Sequence, residues 1–120
     1  AAQTVVDSGD PINYGAAAAS LHPIHLIEVV GGAGVLPDQV VPNSSTEALA
    51  KVMGLKSASR TVRDEKGVRA IVRFSQGDHG SLINPVASAG TTAEMQGQMI
   101  SFLNSEGEEL EILYHPVIAH

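Results

Sequence analysis

The stretch IHLIEVV, Ile24 to Val30, constrains the fold more than any other. It is short, rich in β-branched residues, and lacks the apolar–polar alternation of a strand wetted on one face. His22-Pro23 bounds it on one side and GGAG on the other. It therefore reads as a strand covered on both faces, as in a parallel sheet. Such a strand needs helices around it, and its neighbours supply them. Asp10-Pro11 reads as an N-cap followed by proline in the first helical position, opening the alanine-rich PINYGAAAAS that His22-Pro23 stops. Downstream, Ser44 and Glu47 form a capping-box pair at the head of STEALAKVMG, with Gly54 placed to end that helix.

The segment SRTVRDEKGVRAIVRF predicts two extended runs around the turn DEKG, with Gly67 in a left-handed position. The second run, Val68 to Phe74, sets Val68, Ala70, Val72 and Phe74 on one face and Arg69 and Arg73 on the other. Thr91 and Glu94 make a second capping box, ahead of a helix carrying Met95, Met99, Ile100 and Leu103 on one stripe. The two methionines read as core filling before they read as a lipid-binding surface. EELEILYHPVIAH alternates Leu110, Ile112 and Tyr114 with Glu109 and Glu111 and predicts a terminal edge strand. Glu106, Glu108, Glu109 and Glu111 form a solvated acidic face that guards this edge.

Strand, helix, strand, helix is the α/β order. The crossover from Ile24–Val30 through the helix after Pro42 to Val68–Phe74 makes these two strands parallel. The fold class is α/β: a short, mostly parallel sheet with flanking helices. At 120 residues the chain is one domain's worth, and 43% hydrophobic against 17% charged residues excludes disorder. No apolar run approaches the roughly 18 residues that span a membrane. A formal charge of -6 argues against nucleic acid as a partner. The absence of cysteine removes disulfides, thiolate catalysis and zinc-thiolate sites. AAQTVVDSGD has neither the basic start nor the apolar core of a signal peptide, so any export signal is expected upstream.

Parallel strands share one carboxyl edge, where functional groups of open α/β sheets gather. The two loops leaving that edge carry Asp38, in LPDQVVPN, and His79, in QGDHGS. A histidine acting as general base needs freedom to reach the reacting atom and a carboxylate that fixes its tautomer. Gly77 and Gly80 let the backbone turn around His79, and 79 - 38 = 41 residues leave room for a helix and a returning hairpin between the two loops. Plainer readings stand beside this one. His79 fits as a solvated loop residue, and Asp38 fits as a cap for the turn after Pro37. Asp78 is the competing carboxylate, but directly beside His79 in extended backbone it points elsewhere. Ser81 reads as a structural hydroxyl. His22 and His25 form an H-x-x-H, yet Pro23 breaks helical geometry and alternation sends the two rings to opposite faces, so no metal site is expected there.

The order of acid then histidine resembles the last part of an α/β-hydrolase, whose triad runs serine, acid, histidine along the chain. A closer resemblance is to bacterial extracellular lipases. It lies in QTVVDSGDPINY, PIHLIEVVGG, LPDQVVPN, GDHGSL and TAEMQGQMISFL, which together cover most of the chain from Gln3 to Leu103. The resemblance implies that Asp38 is the triad acid and His79 the triad base. No G-x-S-x-G occurs in the chain. The resemblance therefore implies that residues 1–120 are the C-terminal fragment of a hydrolase (lipase) domain, inactive alone, with the nucleophile elbow and oxyanion hole upstream. The whole protein so implied is a secreted or cell-envelope ester hydrolase acting on lipid esters, without cofactor or metal. Its partners are the substrate and the N-terminal remainder, and the isolated chain is expected to self-associate through an exposed sheet edge. The alternative is a non-catalytic α/β binding or assembly module that keeps the two loops as scaffold.

Overall fold

The computed structural model describes residues 3–6, 12–32 and 34–120. Four strands form the main sheet: β1 (Gln3–Val6), β2 (Ile24–Val29), β5 (Arg69–Phe74) and β3 (Lys56–Ser57), in the order β1-β2-β5-β3. Every pairing in it is parallel, and β2 matches β5 from Ile24 opposite Arg69 to Val29 opposite Phe74. All six residues of β2 are buried, as the unalternating sequence predicts. The parallel β2–β5 pair fits the expected α/β class.

Helices α1 (Ile12–Leu21) and α2 (Asn43–Met53) cover one face of the sheet. There Ala19, Ile24, Leu26, Leu49, Ala50, Met53 and Ile71 close a compact core. The opposite face belongs to α3 (Ala89–Asn104) and the chain's end. Val68, Ala70, Val72 and Phe74 face it together, as their alternation requires, and pack with Ile27, Met95, Phe102, Leu110, Ile112 and Val117. Burying each of the larger of these side chains contributes about 1.5–3 kcal/mol. The three layers hold the carboxyl ends of β2 and β5 side by side.

Asp10 and Pro11, the proposed start of α1, lie outside the described residues; the helix itself runs to Leu21, just before His22-Pro23. Gly54 ends α2 with a left-handed φ of 67°. Several local expectations are corrected. Helix α2 begins at Asn43 behind Pro42 with no side-chain cap, because Glu47 turns toward Arg73 instead of back to Ser44. Helix α3 is capped by Ser88, whose hydroxyl accepts from the Thr91 N–H; Glu94 is drawn inward, where it accepts from the backbone of Leu113 and Tyr114. The buried face of α3 is Thr91, Thr92, Glu94, Met95, Gln98 and Phe102, while Ile100 and Leu103 are exposed.

The predicted hairpin does not form. The turn is present, with Gly67 at φ 103° donating to the Asp64 carbonyl, but β4 (Val62–Arg63) pairs antiparallel with β6 (Glu109–Leu110). The following run is occupied on both sides by β2 and β3, so it has no free edge to offer β4. Beyond β6 the chain leaves strand geometry. It returns through a 3-10 turn at His115–Val117 to the main sheet, where Ile118 bridges Phe74 and the Ala119 N–H donates to the Arg73 carbonyl.

Candidate functional site

The acid loop starts from the last residue of β2. The Val29 carbonyl accepts the Asp38 N–H at 3.1 Å, so the excursion after the strand returns Asp38 to the sheet edge. Inside it, Gly32 and Val35 exchange backbone hydrogen bonds of 3.0 and 3.1 Å. Gly31 makes this possible at φ 77°, and a Cβ there would sit 2.9 Å from the Leu36 carbonyl carbon. The Asp38 carboxylate is then fixed from both sides. Its Oδ1 accepts the Val40 and Val41 N–H groups at 2.7 and 3.0 Å, and its Oδ2 accepts from His79 Nδ1 at 3.2 Å. Capping the turn and facing the histidine, the two readings of Asp38, are thus properties of one side chain with two oxygens.

The histidine loop follows β5. Gly77 bends it at φ 113°, where a Cβ would come within 2.8 Å of Ser81 Oγ and 2.9 Å of Thr91 Cγ2. Asp78 turns away from His79's partner, as its position predicts. Its Oδ1 accepts from the Gly80 N–H at 2.9 Å and the Ser81 hydroxyl at 3.2 Å, while Ser81 Oγ accepts the Asp78 N–H at 2.7 Å. Ser81 is fully buried in this turn. Thr91, on α3, donates from its hydroxyl to the Gln76 carbonyl and anchors the loop to the helix.

The outcome is a buried carboxylate against a half-open imidazole. The Asp38 side chain is 3% exposed and that of His79 38%. A carboxylate at Nδ1 sets the proton on that nitrogen and stabilises the ring when it gains a second proton. His79 lines an open depression of about 530 Å³ with Gly34, Leu36, Val40, Asn84 and Ala87. Leu36 and Val40 are largely exposed, and Ile83 and Val86 on the loop after His79 are more exposed still.

One level deeper lies a charged cluster that pattern reading missed. Arg73 donates to Glu47 through Nε and Nη2, both at 2.8 Å, and to Ser57 Oγ through Nη1. Glu28, opposite Arg73 in the sheet, is buried, and its nearer oxygen is 3.8 Å from Arg73 Nε. Neither Glu28 oxygen has a hydrogen-bond partner. Burial pushes its carboxyl up to about 8; the adjoining Glu47 and the charge of Asp38 add to the rise, and Arg73 opposes it. The contact with Glu47 becomes a hydrogen bond only when Glu28 carries a proton to donate. The available signal was a glutamate inside a strand otherwise free of charge, which must find a partner or a proton.

On the other face, His25 is fully buried beside Phe102, with Nε2 donating to Gln98 Oε1 at 3.0 Å. Gln98 donates in turn to Glu94 at 2.7 Å. Burial lowers the His25 pKa to about 4, against the opposing pull of the Gln98 hydrogen bond. Among the described residues no group of three His, Cys, Asp or Glu side chains is arranged to hold a metal ion. No known protein family, curated protein or solved structure matches this chain.

Proposed function

We propose that the chain is part of a secreted lipase or related carboxylic ester hydrolase of the α/β-hydrolase kind. It supplies the acid and the histidine of a Ser-Asp-His triad whose serine lies upstream. The observation that carries the reading is the 3.2 Å contact between Asp38 Oδ2 and His79 Nδ1, at the carboxyl edge of two adjacent parallel strands. The exposed apolar side chains of Leu36 and Val40 beside His79 suit an acyl substrate better than a charged one.

In this reading the upstream serine attacks an ester carbonyl while His79 takes its proton through Nε2. His79 then returns a proton to the leaving alcohol, and Asp38 stabilises the imidazolium throughout. The acyl-enzyme is opened by a water that the same ring deprotonates. The serine-bearing strand adds beside β1, which among the described strands pairs only with β2. Until that strand is in place, β1 invites pairing between copies of the chain.

A fluorophosphonate, which marks activated serines, tests this. The protein from the whole reading frame is expected to label and the 120-residue chain alone not to; the chain alone is expected to self-associate in light scattering. Labelling of the whole protein that survives His79→Ala unchanged contradicts the proposal and favours the binding-module alternative.

A further inference from the structure

The loop that carries His79 is held at its root by two hydrogen bonds from different elements. The Ser75 N–H donates to the Val117 carbonyl at 2.9 Å, and the Gln76 carbonyl accepts the Thr91 hydroxyl at 3.1 Å. The first anchor comes from the chain's end. Along β5 the edge that carries β3 is filled only as far as Ile71, whose carbonyl accepts from Ala58. Beyond it residues 117–119 take over the same edge, with the Ala119 N–H on the Arg73 carbonyl and Ile118 bridging Phe74. The second anchor comes from α3, which also holds the loop further on, through Thr92 to the Asn84 carbonyl and Gln96 to the Leu82 carbonyl.

Glu94 joins the two anchors. It lies one turn of α3 beyond Thr91 and is 6% exposed, and its Oε1 accepts the N–H groups of Leu113 and Tyr114 at 3.2 and 2.7 Å. Its Oε2 accepts from Gln98 at 2.7 Å, and Gln98 meets His25 on the central strand β2. The Tyr114 ring completes the seat against Gly90, where a Cβ would come within 2.8 Å of its Cε2. Two of the three N–H groups that satisfy this buried carboxyl belong to the C-terminal segment, so undocking the segment strands an acceptor in the core. An apolar side chain at 94 would pack against the segment without fixing its register. Hydrogen bonds to two successive N–H groups do fix it.

We propose that Glu94 is a positioning residue for His79: by fixing the segment Leu113–Ala119 to α3, it sets where β5 ends and where the His79 loop departs. The proposal rests on His79 being the working base. When the segment is released, the Ser75 N–H loses its acceptor and the loop is held by α3 alone. The ring then moves relative to the depression that it lines.

The test reads backbone amide exchange and the His79 ring chemical shifts by NMR, at one fixed pH, in the 120-residue chain. In Glu94→Ala the Ser75, Leu113, Tyr114 and Ala119 amides are expected to exchange at least about tenfold faster relative to those of β2, and the His79 ring signals to move. Glu94→Gln keeps an oxygen for Leu113 and Tyr114, and Gln98 can turn its amide over to meet the new NH2 while His25 changes tautomer. Both readouts are therefore expected to return to those of the unaltered chain. Should Glu94→Ala fail to fold, Glu94→Asp, one methylene short of the two N–H groups, is read in the same way. Equal acceleration in β2 and the C-terminal segment, a His79 ring that does not move, or a glutamine variant that behaves like the alanine or aspartate one would each overturn the proposal. Failure of serine labelling leaves these readouts untouched, so the two readings fail separately.

Discussion

Through a ring nitrogen, His25 and His79 both meet a side-chain oxygen at similar length, 3.0 and 3.2 Å. Little else about them is alike. His25 is sealed between sheet and α3 against a neutral amide, and burial holds it uncharged down to a pKa of about 4. His79 stands on a glycine-bent loop at the strand ends, 38% exposed, against a carboxylate. The amide gives a protonated ring no compensating charge; the carboxylate does. Bond length therefore does not mark the histidine suited to moving protons. Partner charge and access do.

Removing each ring should separate structure from function. His25→Ala leaves a cavity and an unpaired Gln98 oxygen, and is expected to cost about 3 kcal/mol in urea unfolding at pH 7. His79→Ala, on a half-exposed loop, is expected to cost under about 1 kcal/mol. Equal losses would erase the contrast. Gly77→Ala should fall between them at about 2 kcal/mol, since an alanine must adopt φ 113° against Ser81 and Thr91. It should also displace the His79 ring, visible as changed ring chemical shifts.

Acid and alkali sharpen the comparison with opposite signs. His25 stays neutral in the fold but gains a proton in the unfolded chain below 6.5, so stability is expected to fall as pH drops from 6.5 toward 4. His25→Gln, which can still pair with Gln98, should remove that acid loss. Glu28 keeps its proton in the fold to about 8 but loses it at 4.5 when unfolded, so its contribution worsens as pH rises from 4.5 to 8 and then levels. Glu28→Gln should be the more stable protein at pH 8 by about 1.5 kcal/mol, less than the full shift because Arg73 can relax toward an ionised Glu28. Thermal unfolding across pH reads both limbs.

The strands β2 and β5, the helices and the meeting of Asp38 with His79 were legible because each follows from one local rule, whereas the edge strands β1 and β3 went unread. An unalternating apolar run means a strand buried twice, and a parallel crossover brings two loops to one edge. What escaped was decided by competition for partners. Glu47 and Glu94 both stand at capping-box spacing, yet Arg73 takes the first, while Gln98 and two backbone N–H groups take the second. The DEKG turn forms, but the strand after it has its edges filled by β2 and β3, so the hairpin gives way to a β4–β6 ribbon. The proton on Glu28 depends on how Arg73 divides its donors, which no spacing reveals.

The most direct test of the Asp38–His79 pair is a double-mutant cycle on ester hydrolysis by the protein of the whole reading frame, using Asp38→Asn, His79→Ala and both together. If the two side chains act as one unit on a serine, His79→Ala should lower kcat/KM by about 10³-fold or more, Asp38→Asn nearly as much, and the double variant no further than His79→Ala alone. Full-rate hydrolysis without either residue, or losses that simply multiply, would contradict it.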